Sequence, residues 1–319
     1  MNRHKLALLP CLPVIILSVL LLKTGVANAA SPAACGSWGI VSSPNSQTYD
    51  LLKGVSAVST NDVWAVGYAY ISGIYQTLTE HWNGTSWSIV PSPSGAGNTV
   101  LYGVAATSTS DVWAVGTNII EHWNGTKWSV VSSPSIGTNV VYRGVTALST
   151  NNDWAVGYYL TSSGFLNTLI EHWNGTKWSI VSSPNPANYN FFDGVAAVSA
   201  NDIWAVGAYA VTDQPHKPLT AHWNGTSWSA VSNPDLGSND SIMEGVAATS
   251  TSNVRAVGNS GSQTLIERWN GTSWVFVSSP NQGIDELAAV ATVSAHVAWA
   301  VGDYLSSLGT PQTLTVLHC

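Results

Sequence analysis

Short runs in which apolar and polar residues alternate, punctuated by Gly, Asn, Ser and Thr, fill the chain from about residue 50 to its end. In the first such stretch the alternation predicts four strands, A to D, at 54–59, 63–68, 77–82 and 87–90. Then the pattern starts again. The run Glu80-His81-Trp82-Asn83-Gly84-Thr85-Ser86-Trp87 returns as EHWNGTKW at 121–128 and 171–178, AHWNGTSW at 221–228 and ERWNGTSW at 267–274. Asn-Gly between two β-type runs is a strong hairpin signal, so each copy predicts a hairpin with a Trp on each arm, Trp82 and Trp87 in the first. Upstream of each copy stands WAVG, beginning at Trp64, Trp113, Trp154, Trp204 and Trp299, with RAVG from Arg255.

These starting positions lie 49, 41, 50, 51 and 44 residues apart, within the range of β-propeller blades. Strand A is made of small residues in every copy, and Trp appears only on B, C and D, which suits blades that crowd near an axis and diverge outward. The chain ends predict how the ring closes. Residues 35–44 align with the second half of the hairpin, and the stretch from Gln312 to Cys319 aligns with the first half. The expectation is an all-β, six-bladed propeller of four-stranded antiparallel blades. One blade is split, taking strand D from the N-terminus and strands A to C from the C-terminus. Cys319 falls in the Trp82 column and Cys35 in the Gly84 column, two positions apart, which predicts a Cys35–Cys319 disulfide in place of the missing turn.

Composition agrees with an all-β chain: 319 residues are 45% hydrophobic and only 8% charged. The basic start, the apolar run 6–22 and Ala27-Asn28-Ala29 predict a signal peptide over residues 1–29, leaving a propeller domain over 30–319. An uncleaved membrane anchor is the alternative reading of that run. Without Arg3, Lys5 and Lys23 the chain keeps 7 basic against 17 acidic residues, which disfavours nucleic acid as a partner. The expected protein is secreted, monomeric and free of the membrane after cleavage.

The repeated residues resemble those of secreted bacterial β-propellers with WNGTxW repeats, a group similar to Asp-box and kelch-like propellers. The resemblance spans about 285 residues, essentially everything after the signal. It implies a structural role for Asn83-Gly84-Thr85-Ser86-Trp87, in the turn between the third and fourth strands. It does not imply sialidase activity: that chemistry needs an arginine triad, and of Arg143, Arg255 and Arg268, the arginines after the signal, the last two merely replace the Trp and His of one repeat. The Gly-Gly pair of kelch repeats is absent.

The candidate chemistry is correspondingly thin. A histidine column, His81, His122, His172, His222 and His318, has Arg268 in the remaining repeat. Propeller symmetry keeps such residues apart, so the column is read as structural, with Asp62, Asp111 and Asp202 or the neighbouring Glu residues as partners, and no metal or other cofactor is expected. The Asn-Gly-Thr runs are read as turns before they are read as glycosylation sites. Loop lengths vary only in the B–C and D–A connections, which emerge on one face. On that face the residue before strand A reads Lys53, Tyr102, Arg143, Asp193, Glu244 and Ala288, with Tyr70, Tyr75, Tyr158, Tyr159, Tyr189, Phe191 and Tyr209 on the loops around it. The expectation is a non-catalytic module binding an extracellular protein or glycan there. A lectin is the first alternative; a glycan hydrolase or lyase using Asp193 and Glu244 is the second.

Overall fold

Each Asn-Gly-Thr run folds as a four-residue loop between paired tryptophans, Trp82 opposite Trp87 in the first copy. The Asn83 side-chain oxygen accepts from the amide of Thr85 at 3.0 Å, its hydroxyl at 2.8 Å and the amide of Ser86 at 3.0 Å. Only Gly84 takes a positive φ, 93°. The asparagine is therefore needed as a local acceptor and the glycine for the left-handed step. The same bonds recur at Asn124, Asn174, Asn224 and Asn270.

The computed structural model describes residues 41–318 apart from Gln47, Thr48, Ala96, Gln282, Val293, Ala295, His296, Ser307 and Leu308. The expected signal peptide, the expected N-terminal strand and the Cys35–Cys319 pair lie outside the described residues.

The described strands form five sheets, antiparallel except at one bridge. The first holds β1 (Asp50–Ser59), β2 (Asp62–Ile71), β3 (Ile74–Trp82) and β4 (Trp87–Ile89). A second holds β5 (Leu101–Ser108), β6 (Asp111–Gly116), β7 (Ile119–Trp123) and β8 (Trp128–Val130). Two further meanders follow. One comprises β9 (Thr138–Ser149), β10 (Asn152–Leu160), β11 (Leu166–Trp173) and β12 (Trp178–Ile180). The other comprises β13 (Tyr189–Ser199), β14 (Asp202–Ala210), β15 (Lys217–Trp223) and β16 (Trp228–Val231). A parallel bridge from Leu166 to Tyr189 merges the two into one eight-stranded sheet. Next come β17 (Ser241–Ser250), β18 (Asn253–Ser260), β19 (Gln263–Trp269) and β20 (Trp274–Phe276), and last a three-stranded sheet of β21 (Ile284–Thr292), β22 (Ala298–Leu305) and β23 (Pro311–His318). The fold is a β-propeller with antiparallel blades. It departs from the expected six separate four-stranded blades, because one bridge fuses two meanders and the last sheet shows three strands.

The glycine of WAVG has a specific cause. In β1 the register slips between Leu52 and Gly54, leaving Lys53 as the extra residue of a bulge. The bulge presses the Leu51 carbonyl onto β2, where a Cβ on Gly67 would stand 1.9 Å from that oxygen. Any side chain there would clash with backbone, so the column is glycine. First strands also touch backbone to backbone: a Cβ on Gly54 would meet the Tyr102 carbonyl at 2.9 Å.

The core lies between successive meanders. Trp64 contacts Trp123 and Trp128 of the next meander at 4.9 and 5.2 Å, and Trp113 meets Trp173 and Trp178 in the same way at 4.9 and 5.1 Å. Trp64, Trp113 and Trp204 are all but fully buried, each a large share of its interface's hydrophobic stabilisation. Among the described residues the interface before the last sheet is smaller: its buried members are Val257, Leu287, Ala300 and Leu314, with no Trp.

Candidate functional site

Bulges gather the variable residues. The slip that frees Lys53 recurs at Tyr102, Arg143, Asp193, Glu244 and Ala288 in β5, β9, β13, β17 and β21. An unpaired bulge residue is turned out of the regular alternation, so side chains that would otherwise follow the pleat are re-aimed. Neighbouring members meet. Arg143 Nε lies 3.1 Å from the Asp193 carboxylate, and the same guanidinium sits 4.7 Å from the centroid of the Tyr102 ring. Charge pairing and cation–π attraction thus hold Arg143 from both sides.

The opposite arc is acidic. The Asp193 side chain is 6% exposed; burial and then Glu244 push its carboxyl up to about 7 against the pull of Arg143. Burial and then Glu286 likewise raise Glu244, opposed by Arg143 and Lys53. Lys53, Arg143, Asp193, Glu244 and Glu286 therefore share one electrostatic neighbourhood, with cations and Tyr102 on one side and carboxylates on the other. Ala288 adds no charge to it.

Glu286 was not among the residues singled out in the sequence, because it lies two positions before the bulge of β21. The signal available was Glu286 itself, two positions before the bulge, where the other copies have Leu51, Val100, Val141, Phe191 and Ile242. Near Tyr102, the Tyr68 and Tyr75 rings are 5.1 Å apart, as are those of Tyr70 and Tyr75. Tyr70 and Tyr75 are exposed, whereas Tyr158, Tyr159, Tyr189, Phe191 and Tyr209 are half-buried. Tyr158 and Phe191 pack edge to face at 6.2 Å, and Phe191 reaches His216 at 5.6 Å.

The other face is fastened by repeated bonds. His81, His122 and His222 pair through Nε2 with Asp62, Asp111 and Asp202 at 2.8, 2.7 and 2.8 Å, and His172 with Asn152 at 2.9 Å. Trp82 donates its indole N–H to the Thr60 carbonyl at 3.2 Å, tying the C–D hairpin to the A–B turn. His318 does not belong to this column. The register sets Leu317 opposite Trp299 and His318 opposite Ala298, the place that Trp82 holds opposite Val63. The Val-Leu step of β23 had hidden a one-residue offset from the expected alignment. Among the described residues, no group of three or more His, Cys, Asp or Glu is placed to hold a metal ion.

No protein-family model matches the sequence, and no curated protein matches it. Solved structures do share its fold. One described as YCF48 bound to D1 peptide aligns at a TM-score of 0.51 and 14% identity, over 79% of this chain and 74% of the other. The structure of U3-55K aligns at 0.53 and 12% identity, over 77% and 72%. The extracellular domain of BT4673 from B. thetaiotaomicron, described as a one-component system, aligns at 0.52 and 9% identity, over 78% of this chain and 31% of that one. At such identities the likeness concerns the propeller fold alone.

Proposed function

We propose that this protein is a secreted, non-catalytic binding module, working as a monomer, that engages an extracellular protein or glycan through the face carrying the channel mouth. The observation that carries the reading is the mouth itself. The fold repeats almost every other position, yet at the bulge it brings together Lys53, Tyr102, Arg143, Asp193 and Glu244, five different residue types. Sites on repeat proteins arise where the repeat is broken on a shared surface. The exposed Tyr70 and Tyr75 extend that surface with amphipathic rings suited to a protein hot spot or to a sugar face. A peptide-bound structure of the same fold is consistent with a protein partner.

The reading includes a ring of six repeats closed by the N-terminal segment, with Cys35 joined to Cys319. Support comes from Ser43, which donates to Glu80 of the first repeat. Asn233, in the matching Ser-Asn-Pro stretch after the fourth repeat's hairpin, donates to Glu267 of the fifth at 2.6 Å. The likeness of these two bonds is what supports the closure.

The test is capture from culture supernatant and from an array of glycans and cell-wall polysaccharides, with soluble product assayed in parallel. Capture of a protein or glycan that is lost in Arg143→Ala together with Tyr75→Ala supports the reading. Product release abolished by Asp193→Asn in a folded protein would replace it with the enzymatic one.

A further inference from the structure

The fourth repeat is set apart by its connections. In the first repeat Ser72 and Gly73 alone join β2 to β3, whereas in the fourth the longer run from Val211 to His216 joins β14 to β15. Residues 232–240 then lead from β16 to β17. Pro215 and Pro234 lie within these two segments and Pro218 just beyond the first, and each ring fixes its own φ.

The two segments are also fastened to each other. The Asp240 carboxylate accepts from the backbone amide of His216 and lies 2.9 Å from the ring Nδ1 of the same residue. The Ser241 amide donates to the His216 carbonyl at 2.9 Å. Within the second segment Asp235 accepts from the Gly237 amide at 2.9 Å, and the Asn233 side chain accepts from Thr220 and donates to Glu267. Walls fixed in this way lose little freedom when a ligand enters.

Between the segments lie two hollows, of about 270 and 510 Å³, that share Tyr209, Lys217, Asp235 and Gly237. The first is lined mainly by polar residues, Asn239 and Ser241 among them, and the second adds Val211 and Pro215. With the His216 ring occupied by Asp240, the charges left to a ligand are Lys217 on β15 and Asp235 on the connection, one of each sign. A charged ligand would be drawn by one and repelled by the other. A hydroxyl group satisfies both, because it accepts from an ammonium and donates to a carboxylate. Polar groups beside an apolar strip suit a molecule with hydroxyls along its rim and C–H groups on its face, and the hollows are of the size that small ligands fill.

We propose that these hollows bind one uncharged sugar residue, its hydroxyls shared between Lys217 and Asp235 and its carbon ring set against Val211 and Pro215. The site contains none of the five mouth residues and stands whether or not the mouth binds anything.

The experiment follows amide chemical shifts of the isotope-labelled full chain during titration with the methyl glycosides of glucose, galactose, mannose and N-acetylglucosamine. Glucuronate and glucosamine, at constant ionic strength, are the charged comparisons. Saturable shifts at 209–217 and 232–241 are expected for at least one neutral sugar, with both charged sugars binding more weakly. Affinity should fall about tenfold or more in Lys217→Met, which keeps the apolar stem and loses one charge-assisted contact. It should be unchanged in Lys127→Gln, which removes an exposed charge elsewhere. Asp235→Asn, which keeps an acceptor for the Gly237 amide and removes the negative charge, should turn the preference toward glucuronate. Circular dichroism separates loss of the site from loss of the fold. No saturable shift with any neutral sugar, shifts confined to the mouth around Tyr102 and Arg143, tighter binding of a charged sugar to the unaltered chain, or equal binding in a folded Lys217→Met would overturn the proposal.

Discussion

Glu121 is completely buried between meanders, and that burial pushes its carboxyl up to about 8. Burial also raises Glu171 and Glu267 to about 7, eased by hydrogen bonds from Tyr142 and Asn233. Asp153, where the first repeat has Val63, reaches about 7 through burial and the nearby Asp111. Above the ordinary carboxylate range the native state therefore keeps protons that the unfolded chain has released, so the unfolding free energy falls as pH rises. Thermal melts should give the highest Tm at mildly acidic pH, declining from about pH 5 to about pH 8. Glu121→Gln should raise Tm at the alkaline end and leave the acidic end nearly unchanged. Apolar losses act in the opposite direction: Trp113→Ala, which empties a site touching Trp173 and Trp178, should cost about 3–5 kcal/mol in chemical denaturation. The tryptophan columns were readable as large residues filling diverging blades. Asp153 was not, because Asn152-Asp153-Trp154 reads like Asn61-Asp62-Val63-Trp64 with one step missing, and only the register shows which acid turns inward.

Among the elements, hairpins and bulges carry different duties. The loop at Asn124 relies on one side-chain oxygen that accepts from Thr126 and Lys127. Asn124→Ala should destabilise by about 1–2 kcal/mol, whereas Asn124→Asp, which keeps the acceptor, should change little; denaturant midpoints distinguish the two. At the bulge, Gly157→Ala would place a Cβ 1.9 Å from the Val141 carbonyl. Its cost should exceed the roughly 1–3 kcal/mol of ordinary overpacking, because backbone has to move. Turn residues and alternation made the strands and hairpins legible in the sequence, since both are local. The bulges were not legible, because a bulge is a relation between two strands; its trace was the invariant glycine of Trp-Ala-Val-Gly, whose partner lies in another strand. The small residues of strand A pointed to crowding without showing that one residue per copy escapes the ladder.

Across the whole molecule the interfaces are unequal. Those between the earlier meanders are built on clusters such as Trp64, Trp123 and Trp128, while the one before the last sheet has small aliphatic members and Arg255 opposite Arg268. Local opening should therefore cost least at the C-terminal sheet. Hydrogen exchange is expected to show weaker protection for β21–β23 than for β13–β14, and uniform protection across all sheets would contradict this. The variable mouth and the repeated opposite face also follow different rules of change. Because the bulged residue takes no part in the ladder, its identity is nearly free of the fold's demands, and the glycine facing the bulge guarantees its position whatever side chain it bears. The six positions behave as letters in a slot that folding leaves blank. Duplication and drift of such a chain can respell what it recognises while every blade is manufactured from the same template.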